Sequence, residues 1–131
     1  MEGYKSNHHV VYSTKYHCVW TPKYRRAVLV GSMAKRCKQV IRQVVAKYKA
    51  EVIALEIMPD HVHVLVEGDP QFGIHRLVKN LKGVSSHTLR REFRTLKSRL
   101  PTLWTNSYFV STVGGAPLAV SQQYVEKQKN V

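Results

Sequence analysis

Two hydrophobic periods run along the chain, one of two residues and one near 3.6, and the switches between them mark its elements. Val10 to Trp20 is β-prone, with Val, Tyr and Trp interleaved by polar residues, and Thr21-Pro22 closes it. Gly31-Ser32 offers an N-cap for a helix. There Met33, Cys37, Val40, Ile41, Val44, Val45 and Tyr48 form one stripe, with Lys35, Arg36, Lys38, Arg42 and Lys49 off it. Glu51 to Met58 reads as a strand, Pro59-Asp60 as a turn and His61 to Glu67 as its hairpin partner. Gly68-Asp69-Pro70 breaks the pattern, with Asp69 placed to cap a second helix and Pro70 to open it. Ile74, Leu77, Val78 and Leu81 give that helix its buried side. After Gly83 the pattern continues less cleanly through Leu89, Phe93 and Leu96, until Leu100-Pro101 ends it. Ser107 to Val113 is a fourth strand, Gly114-Gly115 a flexible joint, and Leu118 to Lys129 a short polar helix.

The order β-α-β-β-α-β with a terminal helix predicts an α+β fold of the ferredoxin-like or RRM-like type: an antiparallel sheet with helices on one face. The first and third strands are then central. A chain of 131 residues with no repeat or linker reads as one domain spanning 1–131.

Inside the third strand the alternation separates two chemistries. Val62, Val64 and Val66 share one face and read as core; His61, His63, Leu65 and Glu67 share the other. Two imidazoles at i and i+2 can reach one ion. An open metal site needs at least one more protein ligand. The terminal helix displays Tyr124 and Gln128 together at i and i+4. Asp60 and Glu67 flank the strand and are placed to orient a histidine.

Charge narrows the partner. Lys and Arg number 21 against 8 Asp and Glu, a formal net charge of +13. Such an excess favours a polyanion, nucleic acid foremost, bound with strong salt dependence. A membrane surface fits less well, because no basic amphipathic segment has an aromatic-rich apolar face. Candidate nucleic-acid contacts are Lys23, Tyr24, Arg25 and Arg26, a basic cluster around a stacking ring, and Arg76, Lys79 and Lys82, spaced by three. No run approaches a membrane span, and residues 1–7 hold no apolar signal segment, so a cytoplasmic location is expected. Cys18 and Cys37 are too far apart for a zinc-finger spacing and read as reduced core residues.

His61-Val62-His63 resembles the HUH motif of the single-tyrosine HUH endonucleases. Tyr124-Val125-Glu126-Lys127-Gln128 resembles the Tyr-x-x-x-Gln of the IS200-like transposases, found in the smallest bacterial and archaeal insertion sequences. Further blocks resemble that family in its order: Trp20-Thr21-Pro22-Lys23-Tyr24-Arg25, Met58 to His63, Leu81-Lys82-Gly83-Val84-Ser85-Ser86, and Leu103-Trp104 through Val113-Gly114. The resemblance implies that Tyr124 is the nucleophile and that His61, His63 and Gln128 bind a divalent metal, Mg²⁺ or Mn²⁺. It implies cleavage and rejoining of single-stranded DNA at hairpin-bearing element ends through a 5′-phosphotyrosine. It further implies a homodimer with composite sites, in which the helix at about 117–130 is exchanged, and association with the nucleoid when DNA is bound. The chemistry is consistent: phenolate, with a pKa near ~10, leaves more readily than an alkoxide. Two other readings share the pattern. One is an RRM-like module that binds single strands without catalysis; the other is a metal-dependent hydrolytic nuclease.

Overall fold

The protein is described by a computed structural model covering residues 5–6, 11–12, 14–113 and 118–130. A short antiparallel pair, β1 (Lys5–Ser6) and β2 (Val11–Tyr12), precedes the main body. The main elements follow as β3 (Lys15–Trp20), α1 (Gly31–Lys47), β4 (Glu51–Met58), β5 (His61–Glu67), α2 (Ile74–Glu92), α3 (Thr95–Arg99), β6 (Phe109–Thr112) and α4 (Leu118–Glu126). β4, β5, β3 and β6 lie in that spatial order, every pairing antiparallel. This is the ferredoxin-like α+β arrangement, with β3 and β5 central.

One sheet face carries the core. Cys18 and Trp20 of β3, Leu55 of β4 and Val62, Val64 and Val66 of β5 are buried together with Cys37, Val40, Ile41 and Val44 of α1 and Leu77, Val78, Leu81 and Leu89 of α2. The heptad-like stripes of both helices are thereby consumed against a valine-rich sheet, the usual route by which an amphipathic helix is stabilised. Burial raises both Cys18 and Cys37 to about 12, and both are free thiols of the core. Trp20 meets Trp104 edge-on, centroids 6.0 Å apart. Trp104 Nε1 donates to Ser85 Oγ at 3.0 Å, tying the loop before β6 to α2.

Several boundaries differ from the sequence expectation, each for a tertiary reason. The run from Val10 to Trp20 is not one strand: among the described residues Val11–Tyr12 pairs with β1, whereas β3 begins at Lys15 opposite Glu67, where β5 ends, with Thr14 accepting the Gly68 N–H just beyond the ladder. Helix α1 starts at Gly31 with Val30 at the cap and no side-chain cap bond, so Ser32 sits in the first turn. Asp69 does not cap α2. Its Oδ1 accepts the Gln71 N–H at 2.8 Å within a turn, and the helix starts only after Gly73, whose φ of 94° suits glycine. Helix α2 runs through Gly83 to Glu92 and breaks before α3, short of Leu100. The fourth strand is confined to Phe109–Thr112. Helix α4 ends at Glu126, and Lys127–Asn130 forms a tighter turn. The Gly114-Gly115 joint lies outside the described residues.

Candidate active site

The face of the sheet opposite α1 and α2 carries the histidines. Along β5 the valines go inward while His61 and His63 stay partly exposed, so the period-two pattern alone decides which side each imidazole takes. They line an open pocket of about 590 Å³ together with Glu56, Asp60 and, from α4, Val125 and Glu126. Glu56 stands directly opposite His63 in the β4–β5 register.

Each ring is held by a neighbour. Asp60 Oδ1 lies 2.8 Å from His61 Nδ1, a carboxylate–imidazole contact common to metal-binding histidines, in which Nε2 is the nitrogen offered to the ion. His63 Nε2 meets His17 Nδ1 of β3 at 3.1 Å. Burial first, and the neighbouring His17 second, hold His63 below its ordinary pKa, and Glu56 opposes this. A neutral imidazole is the form that coordinates metal.

Asp60 is itself anchored. Its Oδ2 lies 3.4 Å from Arg25 Nε, and Arg25 Nη1 reaches Glu126 Oε1 at 3.2 Å and donates to the Val125 carbonyl at 3.4 Å. Tyr24 and Arg25 adopt left-handed φ values of 59° and 52°, a conformation that costs on the order of 1 kcal/mol per residue. Arg25's two carboxylate contacts help offset it. The 23–25 turn thus bolts α4 to the hairpin that carries His61.

Tyr124 and Gln128 face elsewhere. Tyr124 Oη lies 2.8 Å from Ser107 Oγ, Ser107 Oγ donates to Gln128 Oε1 at 3.3 Å, and Gln128 Nε2 donates to the Tyr124 carbonyl at 3.1 Å. The Tyr124 ring also packs against Phe109, centroids 6.0 Å apart. Desolvation raises the phenol pKa, and the Ser107 bond only partly counters it, so in this docked position Tyr124 is a neutral hydroxyl. Neither residue lines the histidine pocket. The structure therefore gathers the predicted residues into two groups, His61 with His63 and Tyr124 with Gln128.

A divalent ion fits the first group in part. His61 and His63 supply imidazole nitrogen, and Glu56 supplies a hard carboxylate in the same pocket. Among the described residues no three His, Cys, Asp or Glu side chains converge as a finished cage, so a further ligand has to come from an amide, from water or from the DNA.

The expected DNA contacts divide in the same way. Arg76 and Lys79 are exposed on α2, with the Arg76 guanidinium stacked 4.5 Å from the Phe72 ring. Tyr24 is exposed, with Lys23 Nζ 5.2 Å from its ring centroid. Arg25 and Lys82 are both engaged within the chain, Arg25 by the contacts given above. Lys82 Nζ donates to the carbonyls of Thr105, Asn106 and Ser107 at 2.7, 3.2 and 3.0 Å, and burial lowers its pKa to about 8. Glu67, expected as a possible orienting group, is buried at the far end of β5, opposite Lys15 and Glu51. Sequence reasoning missed His17, Glu56 and Ser107. His17 and Glu56 share the histidine face only through cross-strand register, which no local pattern encodes.

A histidine pair thus lies on the open face of a ferredoxin-like sheet, with α4 and its tyrosine anchored beside it, on a strongly basic chain. The sequence profile described as "Transposase IS200 like" matches residues 10–128. The chain is 42% identical over 120 residues to the ISDra2 transposase TnpA of Deinococcus radiodurans, covering 90% of this chain and 86% of that protein. It is 31% identical over 126 residues to the transposase for insertion sequence element IS200 of Salmonella typhimurium, covering 95% and 82%. A crystal structure assigned as a transposase from Deinococcus radiodurans superposes with a TM-score of 0.86 at 37% identity, covering 97% of this chain and 99% of that one. A REP-associated tyrosine transposase bound to a REP hairpin shares the fold, with a TM-score of 0.50 at 12% identity over 95% and 69% of the two chains. This protein belongs to the IS200-like transposase family. No helix among the described residues is long and apolar enough to cross a membrane.

Proposed function

We propose that this transposase cleaves and rejoins single-stranded DNA at insertion-sequence ends, with Tyr124 as nucleophile and His61, His63 and Gln128 as ligands of Mg²⁺ or Mn²⁺. The observation that carries the reading is the histidine pair itself. Both rings line one pocket, and Asp60 accepts from His61 Nδ1, the contact that orients a metal-binding histidine. When bound, the ion polarises the scissile phosphate and stabilises the departing oxygen.

The chain's own groups do the rest. Tyr124 Oη forms a bond to phosphorus as the P–O3′ bond breaks; the phenolic proton is lost and the 3′-oxygen gains one. The products are a 5′-phosphotyrosine and a free 3′-hydroxyl. The phosphodiester energy is conserved, so the reverse attack rejoins strands without a nucleotide cofactor. The basic surface, with Arg76 and Lys79 exposed, holds DNA through phosphates, and hairpin-bearing ends are the proposed substrate, as for the fold neighbour bound to a hairpin.

Because Tyr124 and Gln128 are seated at Ser107 rather than in the pocket beside their own α4, the reactive arrangement requires α4 to be re-seated. We place it in a homodimer whose two copies exchange this helix, which also supplies the two nucleophiles that two strand cuts demand. The test is to incubate labelled single-stranded DNA with protein and Mn²⁺ and resolve the products on denaturing protein gels. A covalent adduct absent in Tyr124→Phe is expected; cleavage without an adduct would instead indicate a hydrolase, and binding alone a non-catalytic module. Mixing Tyr124→Phe with His61→Ala subunits should restore one active site, and activity remaining at zero would refute the exchange.

A further inference from the structure

We propose that His17 is a positioning residue of the histidine site, a placeholder that occupies His63 Nε2 until a metal ion takes that nitrogen. The inference rests on the metal-binding reading above and concerns a residue outside the His-x-His and Tyr-x-x-x-Gln motifs.

Its basis is the geometry of two rings. His17 pairs with Leu65 and His63 with Val19 across the β3–β5 ladder, so the two histidines are diagonal neighbours on the open face, within reach of one another. Their nitrogens stand 3.1 Å apart and their centroids 5.3 Å apart, with the ring planes 37° from parallel. With the nitrogens 3.1 Å apart, two imidazoles meeting head to head place their centroids roughly 5.4 Å apart, whereas two rings both aimed at one shared ion with bonds of ~2.1 Å and that same nitrogen separation place them roughly 4.8 Å apart. The observed value matches the head-to-head contact. An N–H···N hydrogen bond joins the rings, and His17 is not aimed at a common ion with His63.

The consequence follows from counting lone pairs. A neutral imidazole has one donor nitrogen and one acceptor nitrogen. While His63 Nε2 is engaged with His17, that atom has no lone pair directed at the pocket. Asp60 treats His61 in the opposite way, taking Nδ1, so that Nε2 is the nitrogen offered to the ion. An ion entering the pocket therefore finds His61 ready and has to exchange His17 for itself at His63. The contact keeps a half-buried ring oriented and satisfied, which an isolated polar nitrogen there would not be. The exchange weakens ion binding by about the net worth of one neutral hydrogen bond, about fivefold in affinity.

The experiment compares Mn²⁺ affinity, by calorimetry or by the electron paramagnetic resonance signal of free Mn²⁺, in the full chain and in His17→Phe, His17→Asn and His61→Ala. His17→Phe retains ring shape without a donor or acceptor and should bind Mn²⁺ about fivefold more tightly. His17→Asn restores an N–H near the former Nδ1 and should return affinity to the wild-type value. Thermal melts of each variant report folding. In the wild type, ¹⁵N spectra of the imidazoles should show the His17 and His63 signals moving together as Mg²⁺ is added. Weaker or unchanged binding by a folded His17→Phe would overturn the placeholder role. If that result came with binding lost in His61→Ala, the metal site would stand and only the His17 inference would fall. A wild-type protein that binds no Mn²⁺ would overturn both.

Discussion

Ser107 holds Tyr124, the proposed nucleophile, in its docked position, and removing its hydroxyl is the most direct test of that geometry. Ser107 Oγ makes two contacts, 2.8 Å to Tyr124 Oη and 3.3 Å to Gln128 Oε1. A net hydrogen bond contributes about 0.5–1.5 kcal/mol. Ser107 is exposed and the second contact is long, so both belong at the low end, and their sum is on the order of 1 kcal/mol. Ser107→Ala should therefore shift the equilibrium between docked and released Tyr124 by about fivefold. If release precedes attack, the single-turnover rate of adduct formation at saturating single-stranded DNA and Mn²⁺ rises by up to that factor. DNA affinity should not change, because Ser107 contacts α4 and the following turn. Ser107→Thr retains the hydroxyl and serves as the control, with a rate near that of the wild type. A Ser107→Ala protein of unchanged melting temperature that forms adduct at the wild-type rate or slower would refute the idea that this contact holds the nucleophile back.

Other substitutions probe the surrounding parts. Asp60→Ala removes the group that fixes the His61 tautomer and also frees Arg25; Mn²⁺ affinity should fall about 10- to 100-fold, and calorimetry showing no loss would exclude the orienting role. Lys82, lowered to about 8, should be about half deprotonated at pH 8, where an ordinary lysine is about 0.4% so. Competitive acetylation with mass spectrometry should give a Lys82 reactivity midpoint near 8, and a midpoint near 10.5 would mean that its three carbonyl contacts cancel the cost of burial. Leu81, fully buried between sheet and helices, should lose about 2–5 kcal/mol as Leu81→Ala, read by chemical denaturation; a loss under about 1 kcal/mol would contradict the packing described.

The elements and the histidine face were legible in the sequence because they depend on local periods. Period-two alternation put Val62, Val64 and Val66 on one side and His61 and His63 on the other before any partner strand was known, and the structure agrees residue by residue. The stripes of α1 and α2 were legible for the same reason. Where β3 begins was not, because a strand extends only as far as its neighbour, and β5 stops at Glu67. Nor was the start of α2, which waits for the backbone turn at Gly73 rather than for the nearest capping side chain.

Residue chemistry is local, but what a side chain is free to do is not. The sequence by itself determined an α+β order, a basic chain, a histidine pair on one strand face, and a tyrosine and a glutamine four residues apart in the last helical segment. Only the tertiary structure decided that Arg25 and Lys82 are spent on a carboxylate pair and three carbonyls, that His17 and Glu56 join the histidines, and that Tyr124 rests against Ser107. Each of these contacts joins segments distant in the chain, such as Arg25 with Glu126 or Lys82 with Ser107. Register and docking set such pairings, and no period within a single segment contains them.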